Sequence, residues 1–171
     1  MSKLLVIRHA IAEETEAAAD QGRDDAHREL TAEGRAKFAE AAKGLLQLVD
    51  RIDVLATSPL VRALQTADIL RRSFGVKPVE IEPLLPTAAP STLSKWCRGR
   101  SAVGCLALVG HEPALSAWVS ELLTGHTGQI LQLKKGSACL IEVDFGAPQS
   151  APSAVLLWLL RQSHLRQLGA K

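Results

Sequence analysis

The chain has 171 residues, 47% of them apolar but only 4% aromatic, with a net charge of +2. That length can bury a substantial core of Leu, Val, Ile and Ala without metals or disulfides, and the near-neutral charge argues against a dedicated nucleic-acid or membrane-surface protein. The cysteines Cys97, Cys105 and Cys139 are odd in number and lack C-x-x-C spacing. They read as reduced small hydrophobes of a cytoplasmic protein, and no secretory signal pattern or membrane-length apolar run accompanies them.

In chain order, Leu4, Leu5, Val6 and Ile7 form a short aliphatic run that ends in Arg8 and His9. No helix cap precedes it, so a buried strand is expected, delivering the arginine and the histidine at its carboxyl end. In open α/β sheets that edge is where ligands bind. Residues 10–28 are rich in Ala, Glu and Asp, including Glu13, Glu14, Glu16, Asp20, Asp24 and Asp25. Low hydrophobicity and clustered acids predict a mobile surface loop, long enough to be a lid or a disordered excursion.

Thr31 is placed to cap a helix over about 32–50, with Phe38, Ala41, Ala42, Leu45, Leu46 and Val49 at helical spacing. Residues 52–56 read as a second strand, followed by Thr57-Ser58-Pro59-Leu60-Val61-Arg62. Ser58 is expected to cap a helix that Pro59 opens and that runs to about Phe74. Arg62 then lies in its first turn, and the backward tilt of helical side chains leans it over the strand end.

Residues 79–81 suggest a further strand, Pro83, Pro86 and Pro90 mark a loop, and residues 91–98 suggest a short helix. Residues 104–109 form another firm apolar strand, which ends in Gly110-His111-Glu112-Pro113. Pro113 is expected to open a helix with Leu115, Val119, Leu122 and Leu123 on one face. Residues 129–133, 137–144 and 154–160 read as strands of an antiparallel extension, and the basic tail 161–171 carries no assignment. There is no internal repeat or linker, so one domain over 1–171 is expected.

If the three firm strands are neighbours, Arg8, His9, Arg62 and His111 converge on one pocket. Guanidinium groups match phosphate oxygens two at a time, and helix N-termini at Pro59 and Pro113 would complete an oxyanion cradle. A neutral imidazole can attack phosphorus, and surrounding cations favour its neutral form. His27, His126 and His164 are read as surface residues, and Glu13 and Glu14 as loop acids. His111-Glu112 begins like a zinc-protease motif, but Leu115 stands where a second histidine is needed, so no metal site is expected. Phosphate-binding P-loops, dinucleotide fingerprints and nucleophile elbows are absent.

Arg8-His9-Ala10, then Ser58-Pro59-Leu60-x-Arg62-Ala63-x-Gln65-Thr66-Ala67, then Gly110-His111 resemble the three signatures of the histidine phosphatase superfamily. That superfamily also contains the cofactor-independent phosphoglycerate mutases. Ala10 departs from the glycine usual after the first histidine. The short chain and the stretch Arg28-x-Leu30-Thr31-x-x-Gly34 resemble the SixA-type phosphohistidine phosphatases. The resemblance implies a three-layer α/β/α phosphoglycerate mutase-like fold with a mostly parallel sheet and an antiparallel C-terminal extension. It implies that His9 is the phosphorylated nucleophile, that Arg8, Arg62 and His111 hold the phosphoryl group, and that Arg28 contacts it or the substrate.

The activity so implied is metal-independent and cofactor-free: hydrolysis of phosphohistidine on a phosphorelay or phosphotransferase protein, by a monomer. Larger members of the family carry a glutamate that protonates a leaving alcohol; here the corresponding Glu82 to Thr87 region is short and lacks that acidic pattern. An imidazole needs less help to leave than an alkoxide, so the site suits N–P bonds. Glu112 stands where the acid phosphatase branch has an aspartate resembling a proton donor, and Glu82 or Glu13 are further candidates; the simpler reading of Glu112 is a helix N-terminal residue. Two rival readings remain: a phosphomonoesterase or mutase for small phosphorylated metabolites, and a non-catalytic phospho-ligand binding module.

Overall fold

A computed structural model describes residues 2–145 and 153–170. The first strand, β1 (Ser2–Arg8), grows from the aliphatic run, and Leu4, Leu5, Val6 and Ile7 are all fully buried. Burial on both faces explains why the run is continuous rather than alternating, since a central parallel strand has no solvent face. Leu5 and Ile7 enter one hydrophobic cluster and Leu4 and Val6 another. Each such side chain contributes about 1.5–3 kcal/mol of transfer free energy.

The remaining strands are β2 (Val54–Thr57), β3 (Pro78–Glu80), β4 (Cys105–Gly110), β5 (Ala138–Asp144) and β6 (Ser153–Leu160). They form one sheet in the order β3-β2-β4-β1-β5-β6. The first four are mutually parallel, and β5 and β6 are antiparallel additions. The cluster on one face takes Phe38 and Leu45 from α2 (Ala32–Leu45), Ala67 and Leu70 from α3 (Val61–Phe74) and Leu165 from α6 (Gln162–Gly169). On the other face Leu93 of α4 (Pro90–Arg98) and Leu115 and Trp118 of α5 (Ala114–Thr124) pack with Leu106 and Leu108. The result is the expected α/β/α sandwich.

Close approaches explain two glycines. Gly34 lies in the first turn of α2, where Thr31 Oγ1 accepts its N–H at 2.9 Å; a Cβ there would stand 2.0 Å from the Ile11 carbonyl oxygen. Gly44 lets α6 lie on α2, since a Cβ would meet the Leu165 carbonyl oxygen at 1.8 Å. The basic tail is therefore a packed helix rather than an unassigned end.

Three expectations change. Residues 129–133 form no strand: the Ile130 and Leu133 N–H groups donate instead to the hydroxyls of Ser120 and Ser116 on α5, each at 3.0 Å. Residues 10–28 are not a free loop but hold a helix, α1 (Thr15–Ala19), with Ala18 fully buried, and a 3-10 turn (Asp25–His27). Glu13 fastens this segment, pairing with Arg23 at 2.5 Å and accepting the Glu29 N–H at 3.0 Å. Finally, α3 starts at Val61 with Leu60 at its N-cap, so Pro59 does not open it, whereas Pro113 stands at the N-cap of α5 and its carbonyl accepts the Ala117 N–H at 3.0 Å.

The cysteines are enclosed as expected. Burial pushes the thiols of Cys97 and Cys139 up to about 12 and that of Cys105 up to about 11. Among the described residues no helix is long and apolar enough to cross a membrane.

Candidate active site

Strand register brings the site together. Arg8 is level with Gly110 on adjacent parallel strands, and the His9 N–H extends the ladder to the Gly110 carbonyl at 3.1 Å. On the far side of β4, Thr57 is level with Val109, and the Ser58 N–H donates to the Val109 carbonyl at 3.0 Å. The residues after β1, β2 and β4 therefore share one rim. His9 and His111 meet there with ring centroids 5.1 Å apart and planes inclined at 51°, and both are buried.

Hydrogen bonding gives both rings the same tautomer, with the proton on Nδ1. His9 Nδ1 lies 2.7 Å from the Ala10 carbonyl oxygen, which can only accept, so Nδ1 carries the proton and Nε2 keeps its lone pair. Ser58 Oγ accepts the Leu60 N–H at 3.3 Å and lies 2.8 Å from His111 Nε2. When the Ser58 hydroxyl donates to Nε2, the His111 proton sits on Nδ1, a buried atom with no partner among the described residues. Ser58 thus orients a ring rather than capping α3. Burial, with the flanking guanidiniums, lowers the pKa of each imidazole to about 3, so both are neutral near pH 7.

Arg62 is 3% exposed. Its Nη1 and Nη2 donate to the Asp25 carbonyl and carboxylate at 2.6 and 3.1 Å. Arg8 Nη1 donates to the Leu133 carbonyl at 2.9 Å. The Nε atoms of both arginines are buried and have no partner among the described residues. Burial lowers the pKa of each guanidinium, opposed by Glu112 beside Arg8 and by Asp25 beside Arg62. Three donors, two guanidinium N–H groups and one imidazole N–H, are thus left over around a neutral imidazole that keeps a free lone pair. That is an arrangement able to hold the oxygens of a phosphoryl group under attack.

The other expected residues divide. Arg28 joins the site through Asp25, to which its Nε and Nη2 donate at 2.9 and 2.8 Å, while its Nη1 donates to the Glu13 carbonyl at 2.7 Å. Glu112 is engaged through one oxygen only, its Oε2 being buried without a partner among the described residues. Its Oε1 accepts the Ser116 hydroxyl at 2.7 Å and the Ser116 N–H at 3.2 Å, which is the bracing of a helix start; burial raises its pKa. Glu13 is tied to Arg23, and Glu82 is exposed in a short 3-10 turn (Glu82–Leu84). His27, His126 and His164 lie on the surface.

Residues with no role in the sequence reading also matter. Thr66 Oγ1 accepts the Ala10 N–H at 3.1 Å and donates to the Arg62 carbonyl at 2.7 Å, linking the backbone behind His9 to that behind Arg62. Gln65 Oε1 accepts the Leu30 N–H at 2.7 Å and anchors the approach to α2. Both stand inside the Ser58 to Ala67 motif, which was the available signal. Asp25 had none.

Residues 4–86 match the model of the histidine phosphatase superfamily, branch 1. The chain belongs to this superfamily. A protein of Picosynechococcus sp. without an assigned function is 35% identical over 136 residues, 78% of this chain and 80% of that one. Among solved structures, the protein histidine phosphatase SixA in complex with tungstate superposes with a TM-score of 0.80 at 20% identity, covering 95% of this chain and 99% of that one. A mutant phosphoserine phosphatase from Entamoeba histolytica, bound to phosphoserine, superposes at 0.67 with 18% identity, covering 96% and 100%. This histidine phosphatase superfamily member thus has the phosphoglycerate mutase-like fold, and its membership supports phosphatase activity.

Proposed function

We propose that the protein is a phosphatase acting on phosphohistidine borne by another protein, with His9 as nucleophile and Arg8, Arg62, His111 and Arg28 around the transferred group. The observation that carries this reading is the pair of facing neutral imidazoles, His9 with its Nε2 lone pair free, flanked by guanidinium N–H groups left without partners among the described residues. In the first step the His9 Nε2 lone pair forms a bond to phosphorus while the bond to the substrate imidazole breaks and its electron pair returns to that ring. Positive charge develops on the His9 ring and is stabilised through Nδ1–H by the Ala10 carbonyl. In the second step a water oxygen bonds to phosphorus, the His9–phosphorus bond breaks, and phosphate and a proton are released.

The state of the carboxylates bears on the substrate class. A leaving alkoxide needs a protonated acid, whereas a phosphoimidazole takes up a proton on its second ring nitrogen and leaves as neutral imidazole. Glu112 is engaged by Ser116. Burial pulls the Asp25 carboxyl up, but the facing Arg62 and Arg28 outweigh it and hold it below its usual range, so it is ionised near pH 7. Asp25 therefore has no proton to give a leaving alkoxide, whereas Glu112, with Oε2 unpartnered among the described residues and its pKa raised by burial, is the carboxyl that Glu112→Gln must examine. The SixA likeness agrees with this reading, while the phosphoserine phosphatase likeness keeps esters as the alternative.

Side-by-side kinetics on a phosphohistidine protein and a panel of phosphate esters test the proposal, together with Glu112→Gln. The phosphohistidine protein should have the higher kcat/KM, and Glu112→Gln should change it less than about threefold, since the amide still accepts from Ser116. A higher kcat/KM on any ester, lost in Glu112→Gln, would reverse the assignment.

A further inference from the structure

Arg28 and Arg62 have no reason of their own to lie together. One precedes α2, the other sits in the first turn of α3, and their like charges repel, each lowering the ease of keeping the other buried. Asp25 removes the conflict. Its Oδ1 accepts from Arg28 Nε at 2.9 Å and Nη2 at 2.8 Å, its Oδ2 accepts from Arg62 Nη2 at 3.1 Å, and its carbonyl oxygen accepts from Arg62 Nη1 at 2.6 Å. The terminal edge of Arg62 is thereby turned to Asp25, and its other edge, with the buried unpartnered Nε, is left over. On the far side Arg28 is held only by the Glu13 carbonyl.

We infer that Asp25 is a positioning residue, whose carboxylate fixes Arg28 beside Arg62 as an added cation for the phosphoryl group without itself moving a proton. The inference rests on the phosphoryl-transfer reading of the site. It has a competitor in physical terms: a carboxylate on two arginines could instead contend with an incoming anion for the same donors, in which case removing it would tighten anion binding. Geometry favours positioning, because the Asp25 side chain is 56% exposed and occupies only the outer edge of the nearly enclosed Arg62.

The test measures orthovanadate affinity by calorimetry and phosphoramidate turnover for Asp25→Ala, Asp25→Asn, Arg28→Ala and the Asp25→Ala/Arg28→Ala double variant, with thermal melts as a check on folding. Asp25→Ala and Arg28→Ala should each weaken vanadate about tenfold or more, and the double variant no further than Arg28→Ala alone, because both changes remove the same cation. Asp25→Asn keeps an oxygen for Arg28 and should recover part of the loss. If Asp25→Ala does not fold, the same cycle run with Asp25→Asn decides the matter. Additive losses, unchanged or tighter vanadate binding in Asp25→Ala, or an Asp25→Asn as inactive as Asp25→Ala and missing a limb of its pH profile would each overturn the inference. A wild-type protein that binds no vanadate would sink the phosphoryl reading and this inference together; a protein that binds it but prefers esters would leave the Asp25 role intact.

Discussion

The two ends of the central strands make a useful contrast. At the amino ends of β1 and β4 lies a cavity of about 490 Å³ lined by Lys3, Asp50, Arg51, Asp53 and Cys105 among others. It is roomy and carries charge, yet it is chemically quiet. Asp53 accepts the Cys105 N–H at 2.8 Å on one oxygen and pairs with Arg51 on the other, and the Cys105 thiol stays protonated at neutral pH. At the carboxyl ends, buried nitrogens of Arg8, Arg62 and His111 lack partners among the described residues. The difference teaches that a roomy, charged cavity is not by itself a reactive one, and that hydrogen-bonding capacity left unspent beside two buried imidazoles marks the chemistry here.

The largest test of that contrast removes His9, the proposed nucleophile. His9→Ala should lower turnover by about 10⁴-fold or more and abolish an acid-quenched, labelled phosphoenzyme, while Asp53→Asn at the opposite end should leave turnover within about twofold. Full activity in His9→Ala would break the assignment. A smaller effect is expected at Ser58. Ser58→Ala frees His111 to change tautomer, which should cost about tenfold in kcat/KM, with Ser58→Thr retaining most of it.

The smallest effect is on stability. Both buried imidazoles have folded pKa values of about 3, below the 6.5 of an unfolded histidine, so between those values the unfolded chain binds more protons. Their contribution is therefore complete above pH 6.5 and drains as the pH falls toward 3, by about 1.4 kcal/mol per ring per pH unit. Urea unfolding at pH 6.5, 5.5 and 4.5 should show a steeper decline for the wild-type protein than for His111→Asn. The acid limb of kcat/KM should likewise lie well below pH 6.5; a limb at 6.5 would mean that neither ring is held neutral by the fold.

The sequence made the rim legible because continuous aliphatic runs such as Leu4 to Ile7 allow only a strand buried on both faces, and such strands end where Arg8 and His9, or Gly110 and His111, stand. Residues 129–133 misled for the same reason: they have a strand's apolar spacing, but serine hydroxyls of α5 take two of their N–H groups, and only coordinates reveal a side-chain partner 10 or 17 residues away. Ser58 misled because serine before proline is a good cap in general, and nothing local announces that its hydroxyl turns to a histidine 53 residues later. Asp25 is the hardest case. It is one of several acids in residues 10–28, and only its position between two guanidiniums sets it apart from Asp20 or Asp24.

The enclosure of the three thiols has a further consequence once the attacking atom is taken to be nitrogen. Enzymes that rely on a thiolate are silenced by peroxides and alkylating reagents, because the anion that attacks substrate also attacks them. Here Cys97, Cys105 and Cys139 are protonated and walled in, and none belongs to the rim where His9 and His111 meet. With His9 as the proposed nucleophile, turnover is expected to survive peroxide concentrations that silence a thiolate enzyme.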